Sequence, residues 1–79
     1  MVKQVKQSSW ENRAKRFLKV ELKRAEVSYQ ELAKRLEKHG LNETEASIAN
    51  KLSRGTFAAT FFLAALVALE VEGIRLEDI

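Results

Sequence analysis

Apolar residues recur along this chain at the three-to-four-residue spacing of helices, not at the alternation of strands. Between Trp10 and Ala25, the residues Trp10, Ala14, Phe17, Leu18, Leu22 and Ala25 fall on one side of a helix, while Lys15, Arg16, Lys19 and Lys23 gather on another. Ser8-Ser9-Trp10-Glu11 precedes that helix as a capping box, in which a serine hydroxyl and a glutamate three residues on satisfy free amides. Ser28-Tyr29-Gln30-Glu31 repeats the signal. The second stripe is Tyr29, Leu32, Ala33 and Leu36, and Gly40 suits a left-handed terminator. Asn42-Glu43-Thr44-Glu45 opens a third helix, with Asn42 or Thr44 as cap and Gly55 as its end. Its inward side is Ile48, Ala49 and Leu52, and its outward side gathers Thr44, Ser47, Asn50, Lys51 and Arg54.

The fourth segment, from about Phe57 to Glu70, is apolar nearly all round. Phe62, Leu66 and Leu69 form one stripe, Phe57, Phe61 and Val71 another, and Leu63 and Val67 lie between them. A helix of this kind must be covered on every side. Three short helices are too few to wrap it, so the pattern predicts a homodimer interface at Phe57, Phe61, Phe62 and Leu66. The tail from Gly73 to Ile79 reads as an extended piece or a single turn lidding the core. The sum is an all-α domain over residues 9–79, with residues 1–8 as a flexible basic lead.

Composition narrows the function. Cysteine is absent and His39 is the single histidine, which removes thiolate and histidine-cluster metal sites and cysteine nucleophiles. Proline is absent and the three glycines are far apart, so there is no phosphate-cradling loop. The acidic pairs (Glu43 with Glu45, Glu70 with Glu72, Glu77 with Asp78) accompany no nucleophile. The expectation is a binding protein, not an enzyme, with no cofactor and no small-molecule substrate. Residues 1–24 hold eight basic groups to two acidic, whereas residues 25–79 hold six to nine. A basic end on a mildly acidic body points to an anionic partner. The start of the chain lacks the apolar run of a signal peptide. Thr56–Val71 is shorter than the ~20 residues that cross a bilayer. The expectation is a cytoplasmic chain without membrane contact.

Two helices joined through a glycine-containing turn, the second with small and polar residues outward, describe a helix-turn-helix. Tyr29–His39 would position and Thr44–Arg54 would read. Serine and threonine near a helix start bond phosphates or base edges, asparagine reads adenine, and lysine or arginine reads guanine or holds phosphate. The stretch from Phe17 to Ile79 resembles the Cro/repressor type of helix-turn-helix domain. The resemblance is carried by Leu22, Ser28-Tyr29-Gln30-Glu31-Leu32-Ala33, Ala49-Asn50-Lys51-Leu52-Ser53-Arg54-Gly55, Leu66-Val67-Ala68-Leu69 and Leu76-Glu77-Asp78-Ile79. Ser28-Tyr29-Gln30-Glu31-Leu32-Ala33, Glu45-Ala46-Ser47-Ile48-Ala49-Asn50-Lys51-Leu52-Ser53-Arg54-Gly55-Thr56-Phe57 and Phe61-Phe62 make nearly the whole chain similar to a family of small bacterial proteins known only as a domain of unknown function.

The resemblance implies double-stranded DNA as partner and transcriptional regulation as role. Tyr29, Gln30, Thr44, Ser47, Asn50, Lys51 and Arg54 would face DNA, and Lys15, Lys19 and Lys23 would add backbone contacts that salt weakens. Ala33 and Ala49 lie sixteen positions apart, wider than the repressor pattern, so the extra residues around 37–42 lengthen the second helix or the turn. Trp10 is expected as a lid on the core, Tyr29 as half-buried, and His39 as a helix C-terminal residue without chemistry. The rival class is a dimeric helical interaction module that binds no nucleic acid.

Overall fold

The computed structural model describes residues 9–79, and the expected basic lead lies outside them. Four helices follow one another: α1 (Trp10–Ala25), α2 (Tyr29–Lys38), α3 (Glu45–Arg54) and α4 (Ala59–Ala68). A 3₁₀ turn at Leu76–Asp78 comes last. The described residues contain no strand, so the protein is all-α.

Each start has a local cause. Ser9 caps α1, its hydroxyl accepting from the Asn12 amide at 3.1 Å; Ser8, the other expected partner, lies outside the described residues. Ser28 caps α2 by accepting from the Glu31 amide, while the Glu31 carboxylate turns forward to Arg35 instead of completing a box. Thr44, not Asn42, caps α3, and there the box closes. Thr44 Oγ1 accepts from the Ser47 amide, and Ser47 Oγ accepts from the Thr44 amide. The extra residues between Ala33 and Ala49 fall in the connection 39–44, because α2 stops at Lys38.

Three ends share one geometry. Val27, Leu41 and Val71 each donate a backbone N–H to the carbonyl five residues back, on Leu22, Leu36 and Leu66. The residue before each, Glu26, Gly40 and Glu70, is left-handed. The αL residue lets the chain reverse, and the apolar residue after it folds back onto the end of its own helix.

The core is built from Leu18 and Leu22 of α1, Leu32 and Leu36 of α2, Ile48 and Leu52 of α3, and Phe61, Ala65 and Leu66 of α4. Burying each large aliphatic contributes about 2 kcal/mol. α3 packs against both α1 and α2, and α4 packs against α2. Gly55 forces the next change of direction, the chain turning by 118° between α3 and α4. Arg35 ties α2 to α4 by donating to the Ala68 carbonyl at 3.0 Å.

Two expectations fail here. Trp10 does not lid the core: it is 69% exposed, with the Arg13 guanidinium 4.1 Å from its ring centre. As the first residue of α1 it lies beyond the reach of its neighbours, and a cation covers it in place of a helix. Phe61 and Leu66 cannot form a dimer interface, being buried inside the chain's own core. Phe57 and Phe62 are half-buried, their rings 6.0 Å apart and stacked, with Phe62 also against Phe17 of α1. The other helices and the tail cover more of α4 than three helices seemed able to. The side left open is Leu63 and Val67, each 59% exposed. Among the described residues no single helix is long and apolar enough to cross a membrane.

Candidate nucleic-acid interface

The expected reading ridge lies on α3, where Ile48 and Leu52 anchor one side of the helix in the core and turn the other outward. Thr44, Asn50 and Arg54 are exposed. Arg54 folds back on the segment beyond Gly55, its Nε donating to Thr56 Oγ1 at 3.3 Å and its Nη2 to the Thr56 carbonyl at 3.4 Å. Both contacts are long and solvent-exposed, so an anion can replace them at small cost.

Ser47 and Lys51 differ from the expectation. Both are half-buried and both are committed to Glu43, a residue assigned no place on the ridge. Glu43 Oε1 accepts from Ser47 Oγ at 2.6 Å and from Lys51 Nζ at 3.0 Å. The ammonium also lies 5.5 Å from the centre of the Phe61 ring. The spacing Glu43, Ser47, Lys51 places a residue on every helical turn of one side, a signal that was present in the sequence. Glu43 precedes the helix, however, and only the fold brings its carboxylate back along the axis.

The basic side of α1 adjoins the far end of α3. Lys15 Nζ donates to the Ser53 carbonyl at 3.2 Å, one residue before Arg54. Lys19 and Lys23 are exposed beyond it, and Lys15, Arg16, Lys19 and Lys23 line a shallow groove of about 370 Å³ with Asn12 and Val20. Lysines from α1 and the polar C-terminal half of α3 therefore form one continuous surface. The N-terminal end of α3 is the opposite in charge, with Glu43 and Glu45 flanking Thr44.

The contact between the helices requires Gly55. A Cβ there would stand 2.3 Å from the Glu11 carbonyl oxygen, so any side chain would push α3 away from the start of α1. At the head of α2, Tyr29 is half-buried against the core and Gln30 is exposed. His39 is exposed at the end of α2.

A second depression, between α1 and the tail, is lined by arginines that already have partners. Arg13 donates twice to the Ile79 main-chain oxygen, at 2.7 and 3.2 Å, Arg24 pairs with Glu21, and Arg75 pairs with Glu77. Arg13, Arg24 and Arg75 of that depression are engaged with the protein's own oxygens, whereas Lys19 and Lys23 stand exposed on the α1–α3 surface.

The fold and this surface define a small all-α domain with a cationic face along α1 and the end of α3. The chain belongs to the DUF6471 family, a domain of unknown function, whose match spans residues 10–74. No curated protein and no solved structure matches it.

Proposed function

We propose that this protein binds double-stranded DNA through a variant repressor-type helix-turn-helix, as a small transcriptional regulator. One observation carries the reading: the Lys15–Ser53 contact makes the α1 lysines and the exposed end of α3 a single open surface. Asn50 and Arg54 are the side chains set to meet base edges, in a major groove wide enough for a helix. Lys15, Lys19 and Lys23 grip the phosphate backbone from α1. Gln30 is exposed in the first turn of α2 and fits a further backbone contact, whereas Thr44, between Glu43 and Glu45, stands outside it. Ser47 and Lys51, committed to Glu43, stand outside this open set.

The test is fluorescence anisotropy with mixed-sequence duplex DNA at two salt concentrations. Wild type binds at low salt and loses affinity as salt rises, and the Lys19→Glu/Arg54→Glu variant loses binding while keeping its helical circular dichroism. A folded wild-type protein that fails to bind at low salt sinks the reading.

A second reading, a self-associating helical interaction module, is favoured by one feature of α4. Residues 55–69 contain no charged side chain, and Leu63 and Val67 stand open on successive turns. The occupant that fits is a second copy of the chain. Two copies of a net cationic protein repel wherever they are charged, and this uncharged stripe is where they meet without that repulsion. Antiparallel stacking about Leu63 sets each Val67 against the small Ala59 of the other copy. Sedimentation decides it: wild type is dimeric and Leu63→Glu monomeric, with unchanged helicity. A dimer without DNA affinity leaves the module reading alone standing.

A further inference from the structure

We propose that Glu43 limits how strongly the α3 surface holds DNA, because it withholds Lys51 from the phosphate backbone; this rests on the DNA-binding reading above. Its side chain is 11% exposed and that of Lys51 25%. One oxygen, Oε1, takes both the Ser47 hydroxyl and the Lys51 ammonium. Moving Lys51 to a phosphate would leave a nearly buried carboxylate with no cation and would bring a second anion beside it. Both effects oppose the move.

Lys15 and Arg54 face no such obstacle. Lys15 is held by a main-chain carbonyl and Arg54 by two neutral oxygens of Thr56. A phosphate draws either of them away without stranding a charge. The surface thus sorts its cations into those a polyanion can recruit (Lys15, Lys19, Lys23, Arg54) and one it cannot. With Glu45 also at the head of α3, the N-terminal half of that helix rejects bare phosphate, which lowers affinity for DNA in general.

A double-mutant cycle on mixed-sequence duplex DNA tests this, using wild type, Glu43→Gln, Lys51→Met and the double variant. Salt is varied between about 50 and 200 mM, the range over which backbone contacts reveal themselves. Glu43→Gln binds several-fold tighter than wild type, and its plot of log affinity against log salt steepens by about 0.9, the value of one released ion. Lys51→Met alone stays within about twofold of wild type, below the tenfold that 1.4 kcal/mol would produce. Placed on Glu43→Gln, it removes the gain.

A measurement without mutations runs beside the cycle: amine acylation of each lysine, read by mass spectrometry with and without DNA. Lys51 reacts slowly in both conditions, whereas Lys19 and Lys23 react fast when free and slowly when bound. The inference is overturned if Glu43→Gln binds no tighter than wild type, or if Lys51 in the free protein acylates as fast as Lys19. Wild type showing no DNA affinity at low salt, with Lys51 still protected, instead removes the DNA-binding reading on which it rests.

Discussion

Two glutamates occupy backbone that ordinary residues avoid. Glu26 and Glu70 have φ of 58° and 61° at the ends of α1 and α4, where α2 uses Gly40 at φ 86°. A left-handed L-residue costs about 1–2 kcal/mol, part of which glycine gives back through greater freedom in the unfolded chain. Glu26→Gly and Glu70→Gly should each therefore stabilise by roughly 0.5–1 kcal/mol, measured as a rise in the urea midpoint at constant slope. Gly55 is the converse. Its φ is 75° and a Cβ would meet the backbone of Glu11, which cannot step aside as a flexible side chain can. Gly55→Ala should cost at least about 2 kcal/mol and, under the proposed function, weaken DNA binding beyond its loss of stability, because it parts α1 from α3. Gly40 and Gly55 were legible in the sequence as helix ends. Glu26 and Glu70 were not, since glutamate carries no turn signal and its conformation here is imposed by the chain reversal that seats Val27 and Val71.

Helix starts followed local chemistry closely, because a cap needs one hydroxyl and one amide a turn apart. Ser28 and Thr44 fill that role. α4 is the exception: Ala58 stands at its cap position with extended backbone, φ −65° and ψ 149°, and no side-chain bond. The geometry is already that of a cap and only the oxygen is missing. Ala58→Ser should stabilise by about 0.5–1 kcal/mol, seen as a higher thermal midpoint with unchanged helix content. The expected span of α4 was also too long at both ends. Apolar residues continue to either side of the helix, and Phe57 and Val71 are half-buried without being helical. Hydrophobicity reported their burial, which periodicity alone cannot separate from helix.

At the scale of the molecule, charge is sorted by place. The α1 lysines and Arg54 lie to one side, Glu43 and Glu45 sit at the head of α3, and the exposed stripe of α4 is uncharged. If Lys15, Lys19, Lys23 and Arg54 each take a phosphate, log affinity for mixed DNA should fall with log salt at a slope of roughly −3 to −4. A slope near −1 would mean that the α1 surface and α3 do not engage together. The α1 lysines were visible as one face of a helix, but their continuity with α3 was not, because it depends on a contact across 38 positions of sequence. The expected dimer residues went astray for a related reason. A helix apolar on every side does not disclose which side its neighbours will take, and the core claimed Phe61 and Leu66, leaving Leu63 and Val67 open.

The sequence by itself determined what is local: four helices, the caps of the first three, most of those helices' inward residues, though not Trp10 or Ala25, and the concentration of lysine on α1. Each follows from spacing within a few turns, where side chains meet their own backbone or the residue one turn away. Tertiary structure decided which of the outward residues remain available. Glu43 returns along α3 to hold Ser47 and Lys51, and Gly55 lets α1 approach so that Lys15 reaches Ser53. Those are matters of distance between segments, and pairing energies at 3 Å depend on a packing that a one-dimensional pattern does not contain.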